Sequence, residues 1–355
     1  MKIKLAILDH DKNYLGRVAG AFGAYYADKL EVYSFTDAEA ALSALAASGI
    51  HVFLAAHSDA PNPKRVPEGC AFAYLVDMPS VDTLDEQVAV CKFQSAEMLY
   101  KRVLDLFSRS AKNLVVNAGA GGASCLLVFS SPCGGVGTSA MAAGCAMYFA
   151  AQGKKALYLD LEVCGSAQTI FHADGTLDFG DIIYAAKSKG ANLALKTESC
   201  VRRDSSGVYF FAPAKIALDM RDLRAEEIRQ ILNTLQCSGG YDYIVADMDF
   251  SLRQEQAELM CSADHTVVVS DGSQRAAEKI RRALTALHLM DCGAELAADQ
   301  ICLFYNRLRK KQSAAQLDGT LLCGSLPELD TEHERDVAAY MAERGVFAPL
   351  TDARK

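Results

Sequence analysis

No Cys-x-x-Cys pair occurs among the twelve cysteines of this 355-residue chain, which removes the spacing expected of a zinc cage. Their scatter is equally unlike a small disulfide scaffold, and buried, reduced thiols are the expectation. Long apolar runs are missing too. The longest, roughly Ala140 to Ala151 with one Gly, falls well short of the ~20 residues that a membrane span needs. Met1-Lys2-Ile3-Lys4 leads straight into a strand-like segment without a signal-peptide apolar core. Positive charge is not in excess: 36 Lys and Arg against 44 Asp and Glu give −8, which disfavours a general binder of nucleic acid or anionic membrane. With 25 glycines and 8 prolines, collagen-like and low-complexity readings are excluded. A cytoplasmic α/β protein of two or three domains is the expectation.

Short β-branched or aromatic runs alternate with longer helical patterns along the whole chain, the mark of βαβ units and parallel sheets. Strands are expected at Ile3–Leu8, Leu30–Tyr33, Val52–Ala55, Phe72–Val76 and Val88–Cys91, with helices over Tyr14–Ala27, Ala38–Ala47 and Ser95–Phe107. This makes a first domain of residues 1–107. Residues 108–124, polar and Gly/Ala-rich, read as a linker. Strand–helix alternation resumes at Cys125 and defines a second domain, 125–355. Its expected strands are Cys125–Ser130, Lys155–Asp160, Val208–Phe211, Tyr243–Asp247, Thr266–Ser270, Gln300–Phe304 and Leu321–Cys323. The fold class is α/β, two doubly wound parallel-sheet domains.

Leu126–Ser139 reads LLVFSSPCGGVGTS: a buried strand, a Gly-rich loop and a helix start. Gly134, Gly135 and Gly137 allow backbone N–H groups to turn toward an anion, and the helix N-terminus adds its dipole. Ser139, directly after the loop, stands where P-loop proteins hold Mg²⁺. The same turn could instead serve only close strand–helix packing. The loop resembles the deviant Walker A motif of the MinD/ParA family, K-G-G-x-G-K-[ST], with both lysines replaced. Cys133 stands at the signature lysine that would reach across a dimer, and Thr138 at the P-loop lysine. Val136 fills the variable position between the glycines. Four further segments resemble the family in order. KALYLDLE (155–162) keeps Asp160 and puts Glu162 at the second carboxylate, the pair implied for catalysis. YDYIVAD ends in Asp247, implied to bind Mg²⁺ through water along with Ser139 and Asp160. CLFYNR ends in Asn306 and Arg307, implied to recognise adenine. Pro327 and Glu328 resemble the loop that closes over the base.

The resemblance thus implies a P-loop NTPase fold that binds ATP and Mg²⁺. Without the two ammonium groups, phosphoryl transfer loses more than ground-state binding, so slow or absent hydrolysis is expected. Lys187, Lys189, Arg275 and Arg307 are the candidates for a compensating cation.

Residues 1–107 resemble a receiver domain of the flavodoxin-type fold that has lost its chemistry. Asp9 keeps one acid of the usual pair, and His10 replaces the other. Ala56 ends strand three where the phospho-accepting Asp belongs; Asp59 comes too late to substitute. Lys92 keeps its position. A degenerate receiver fused to a MinD-like ATPase resembles the TadZ/CpaE family of Flp (type IVb) pilus assembly proteins. That resemblance implies a homodimer at the cell pole, recruiting secretion-machinery proteins at the inner membrane, with no nucleic-acid partner and no direct membrane insertion. The alternatives are a ParA/MinD-type partitioning or division-site ATPase, a metabolic enzyme of the same superfamily and a phosphorylation-driven output protein. The first expects intact lysines and often a basic amphipathic C-terminal helix, whereas Thr331–Lys355 carries five acids and four bases. The second needs a P-loop lysine or paired cysteines, for which Cys133 and Cys164 are the nearest residues. The third needs an acceptor at Ala56.

Overall fold

The computed structural model describes residues 2–110, 124–188, 192–237, 240–292, 297, 300–308, 317–331 and 333–351. The chain divides into two compact units: Met1–Val116 with Ser188–Ser199, and Asn117–Lys187 with Cys200–Lys355.

In the first unit, β1 (Ile3–Leu8), β2 (Leu30–Phe35), β3 (Val52–Ala56), β4 (Ala71–Val76) and β6 (Gln87–Cys91) form a parallel sheet. Its order is β2-β1-β3-β4-β6, with the short β5 (Thr83–Leu84) antiparallel at the edge. This is the flavodoxin-like arrangement, in which ligands approach the carboxyl ends of the strands. β3 (VFLAA) is buried throughout, as a central parallel strand must be. Helices α1 (Lys12–Tyr25) and α2 (Ala38–Ser48) begin at Asp11 and Asp37, whose carboxylates accept first-turn N–H groups; α3 (Ala96–Ser110) completes the chain order. The third and fourth crossovers are trimmed. Between β3 and β4 stands only a 3-10 turn, Pro63–Arg65, and between β4 and β6 a hairpin replaces a helix. The unit also holds all but the last residue of α6 (Leu193–Cys200). Leu195 joins the core with Tyr100 and Val103, and the Lys196 ammonium pairs with the buried Asp105 carboxylate. The expected linker lies almost wholly outside the described residues.

The second unit is built on a sheet of order β14-β13-β12-β7-β11-β8-β10-β9. Its strands are β7 (Cys125–Ser130), β8 (Ala156–Asp160), β9 (Arg202–Arg203), β10 (Tyr209–Phe210), β11 (Tyr243–Asp247), β12 (His265–Ser270), β13 (Ile301–Leu308) and β14 (Leu321–Pro327). All pairs are parallel except β9 with β10. Helix α4 (Thr138–Ala151) follows β7 and is apolar all round because neighbours cover it all round. The Phe149 ring stacks on Tyr243 at 3.6 Å. Helix α11 (Glu334–Glu343) crosses α4 at Gly144, where a Cβ would lie 2.9 Å from the Ala338 carbonyl oxygen. Ala338, Met341, Phe347 and Leu350 are fully buried, so the C-terminal segment is core rather than a detached amphipathic helix. Between these elements run α5 (Phe179–Lys187), α7 (Ala217–Arg221), α8 (Ala225–Cys237), α9 (Gln254–Ser262) and α10 (Gln274–Leu289). No described helix is long and apolar enough to cross a membrane.

Candidate functional site: the loop between β7 and α4

β7 lies between β11 and β12, fully buried along its length, and its carboxyl end delivers the chain into Ser131–Gly137. Gly135 (φ +72°) and Gly137 (φ +82°) take left-handed backbone, which a side chain would oppose. Gly137 is constrained twice, since a Cβ there would sit 2.5 Å from Asn306 Nδ2. It caps α4 without any side-chain hydrogen bond, leaving the first N–H groups of that helix facing the loop. The Ser131 hydroxyl donates to the Val269 carbonyl oxygen at 2.7 Å and accepts from the Cys133 N–H, pinning the loop's entrance to β12.

Cys133 is turned inward. The residue is 7% exposed, and its thiol lies 3.7 Å from the Ala276 carbonyl oxygen on α10 and is pushed up in pKa by burial. It offers no charge to a nucleotide. Against the general P-loop pattern G-x-x-x-x-G-K-[ST], Pro132 also replaces the first glycine, a departure that sequence reasoning overlooked.

Register brings the carboxylates together. Asp160 at the end of β8 is the direct neighbour of Asp247 at the end of β11, and Phe129 of β7 is next in the row. Their environments nevertheless differ. Asp160 Oδ1 accepts from the Glu162 N–H at 3.1 Å and Oδ2 from the Ala167 N–H at 3.0 Å, with the Ser166 N–H as a third donor. It braces the turn that carries Glu162, and Gly165 passes so close that a Cβ there would meet the carboxylate at 2.5 Å. Burial still raises the Asp160 pKa above its usual value.

Asp247 is fully buried. Oδ2 accepts from the Tyr158 hydroxyl at 2.8 Å, while no hydrogen bond of ordinary geometry reaches Oδ1 among the described residues. Burial, and then the Glu162 charge, push its pKa far up; the Tyr158 and Ser139 hydroxyls pull the other way. Glu162 is raised to about 7, first by burial and then by Asp160 and Asp249, with the Ser139 hydroxyl opposing. Ser139 therefore lies within reach of both Glu162 and Asp247. Buried acids raised in this way, one with an orphaned oxygen, fit a hard divalent cation such as Mg²⁺.

Asn306 and Arg307, at the end of β13, both reach the loop. The Asn306 amide donates to the Val136 carbonyl oxygen at 2.8 Å, and Arg307 Nη1 to the Gly135 carbonyl oxygen at 2.8 Å. Glu328, following Pro327, hydrogen-bonds by its N–H to the Leu308 carbonyl oxygen, so Pro327 and Glu328 lie beside Arg307 along the β13–β14 edge. Lys187 on α5 points to the Asp222 carbonyl oxygen, Arg275 begins α10, and Lys189 lies outside the described residues.

In the first unit the residues expected of a receiver pocket come together in altered form. The Lys92 ammonium lies 2.7 Å from the buried Asp9 carboxylate. Ala56 ends β3 with a buried methyl group. Asp59 comes back to the pocket despite its late position, accepting from the His10 N–H at 3.1 Å and bonded to His10 Nδ1 at 2.8 Å.

These features define a two-unit α/β protein: a receiver lacking its acceptor, and a parallel-sheet unit with a glycine-rich loop ahead of α4. Comparison with known proteins agrees. Residues 1–108 match the family model "TadZ-like, receiver domain". A ParA-family ATPase from Chlorobium tepidum TLS is similar in structure at 16% identity, covering 65% of this chain and 94% of that one, with a TM-score of 0.51. MinD in a MinC:MinD complex from Aquifex aeolicus (16% identity, 65% and 98%, TM-score 0.49) is also similar. So is a Pyrococcus horikoshii OT3 MinD complexed with Mg-ADP (17% identity, 62% and 95%, TM-score 0.46). No curated protein matches the sequence. Residues 1–108 thus resemble a TadZ-like receiver domain, and the second unit shares the fold of the ParA-family ATPase.

Proposed function

We propose that the second unit binds Mg-ATP at the β7–α4 loop and that the chain is an ATP-binding, dimer-forming localisation factor with weak or no hydrolysis. The observation that carries nucleotide binding is the buried Asp247 Oδ1, which no hydrogen bond of ordinary geometry reaches among the described residues, close to Ser139 and to the loop whose glycines free the α4 N-terminus. Ser139 and Asp247 would hold Mg²⁺, with Glu162 close to it. The ion, when bound, supplies charge neutralisation of the phosphates. Asp160 positions rather than reacts, because its oxygens already accept backbone N–H groups. Cys133, Gly134, Gly135, Val136, Gly137 and Thr138 form the cradle. Asn306 has its amide NH₂ engaged with the loop, which leaves its carbonyl oxygen for a base.

Slow turnover follows from the chemistry of the loop. Transferring a phosphoryl group needs cations where charge develops. Neither Thr138 nor the inward-turned Cys133 provides one. Nucleotide then acts as a latch for dimerisation more than as fuel. The match of residues 1–108 to a TadZ-like receiver favours recruitment of Flp pilus secretion machinery at the cell pole, with the receiver as a docking module. The alternative is a ParA/MinD-type partitioning or division-site ATPase, for which the fold of the second unit alone would speak. Fluorescent tagging in a pilus-bearing bacterium separates the two. Polar foci with loss of pili on deletion support recruitment; nucleoid or midcell patterns support positioning.

A further inference from the structure

A phosphate cradle stripped of both lysines leaves a triphosphate's charge to Mg²⁺ and backbone dipoles, unless another cation reaches the loop. Among the described cations that the sequence offered for this role, Arg307 is the one bonded to it. Nη1 donates to the Gly135 carbonyl oxygen at 2.8 Å, and Nε lies 3.7 Å from the Cβ position of Gly137. The guanidinium therefore spans the two left-handed glycines that shape the cradle.

The backbone at this position is unusual. Arg307 has φ +59°, left-handed for a residue that is neither glycine nor asparagine. Such a conformation costs on the order of 1 kcal/mol and persists only where the surroundings impose it. Here the buried Asn306, tied to Val136, imposes it and turns the next side chain back over the loop. The side chain stays exposed, and among the described residues no carboxylate pairs with it. One of its five N–H donors is engaged by Gly135, leaving the fork geometry that suits phosphate oxygens.

We propose that Arg307 is a phosphate-binding residue, a cation carried from the end of β13 to the loop that replaces the absent P-loop lysine in holding the polyphosphate of the nucleotide. This rests on the nucleotide-binding reading above and changes the role of Arg307 within it, from contact with the base to contact with phosphate. A guanidinium fixed by its own loop hydrogen bond differs from a flexible lysine that follows the transferred group. It holds the ground state well and moves little with the reaction, in keeping with a latch.

The test compares Mg-ATP with Mg-tripolyphosphate, which has the charge but no base, in calorimetric or competition binding to the full chain. Arg307→Gly suits the left-handed backbone and should retain the wild-type melting temperature, so lost binding cannot be put down to unfolding. Arg307→Lys keeps a positive charge. The expected result is a loss of tenfold or more for both ligands in Arg307→Gly, with Arg307→Lys within about threefold of wild type. Loss of ATP with tripolyphosphate unchanged would assign Arg307 to the base and overturn the inference. Unchanged binding of both would overturn it as well, leaving nucleotide binding intact. Wild-type protein that binds neither ligand would overturn the nucleotide reading itself, and this inference with it.

Discussion

Asn306 ties the end of β13 to the phosphate-binding loop: its amide donates to the Val136 carbonyl oxygen, 170 residues earlier, at 2.8 Å. The same Nδ2 atom occupies the place where a side chain on Gly137 would begin. One buried amide therefore fixes the loop's shape and explains why its last glycine must be glycine.

This arrangement predicts a non-additive pair. Gly137→Ala should cost about 1 kcal/mol for the left-handed backbone and roughly 1–3 more for the collision with Asn306. In an Asn306→Ala background the collision disappears, and the same substitution should cost only about 1 kcal/mol. A thermal or urea double-mutant cycle measures the difference. Additivity would mean that the two residues do not meet.

Arg335 of α11 forks the buried Asp204 carboxylate at 3.0 Å on both oxygens. Burial pushes the Asp204 pKa up. The Arg335 guanidinium, with N–H groups from His172 and Ser206, outweighs it and holds the carboxyl well below its ordinary range. A depressed folded-state pKa stabilises above the unfolded value, near 4, and the stabilisation is lost as pH falls through the folded value. Arg335→Met should lose about 3–5 kcal/mol at neutral pH. The gap should narrow below about pH 4 as Asp204 protonates in the variant. Urea unfolding at pH 7 and pH 3 checks both parts.

In the receiver-like unit, the hydrogen bond of His10 to the Asp59 carboxylate, then the charge of Asp59 and that of Asp9, raise the His10 pKa, while burial and Lys92 oppose them. The stabilisation from this exposed pair is present below the ordinary histidine value near 6.5 and fades as pH rises through the raised one. Asp59→Ala, which removes the two largest causes of the rise, should lower the His10 pKa in a proton NMR titration. With Ala56 at the acceptor position, acetyl phosphate should leave no alkali-labile, hydroxylamine-sensitive phosphate on the first unit.

Much of this was legible in the sequence. Continuous apolar strands such as LLVFS and YIVAD gave their bounds away because a parallel strand covered on both faces has no reason to alternate. Asp247 and the glycine loop were legible for the same local reason. What escaped was non-local. The trimmed receiver crossovers escaped because helix-poor stretches such as 57–70 read simply as loops. The grouping of Ser188–Ser199 with the first unit depends on Leu195 and Lys196, two residues that look ordinary until Asp105 is found opposite. The loop contacts of Asn306 and Arg307 span more than 160 residues, and no spacing rule encodes them.

Calorimetric titration of Mg-ATP into wild-type protein and Gly137→Asp, with phosphate release followed in parallel, tests the central claim most directly. The account predicts heat of binding in the wild type that Gly137→Asp abolishes, and negligible phosphate release. No heat in the wild type, or the same heat in both proteins, would contradict nucleotide binding at the β7–α4 loop, and brisk release would contradict the latch.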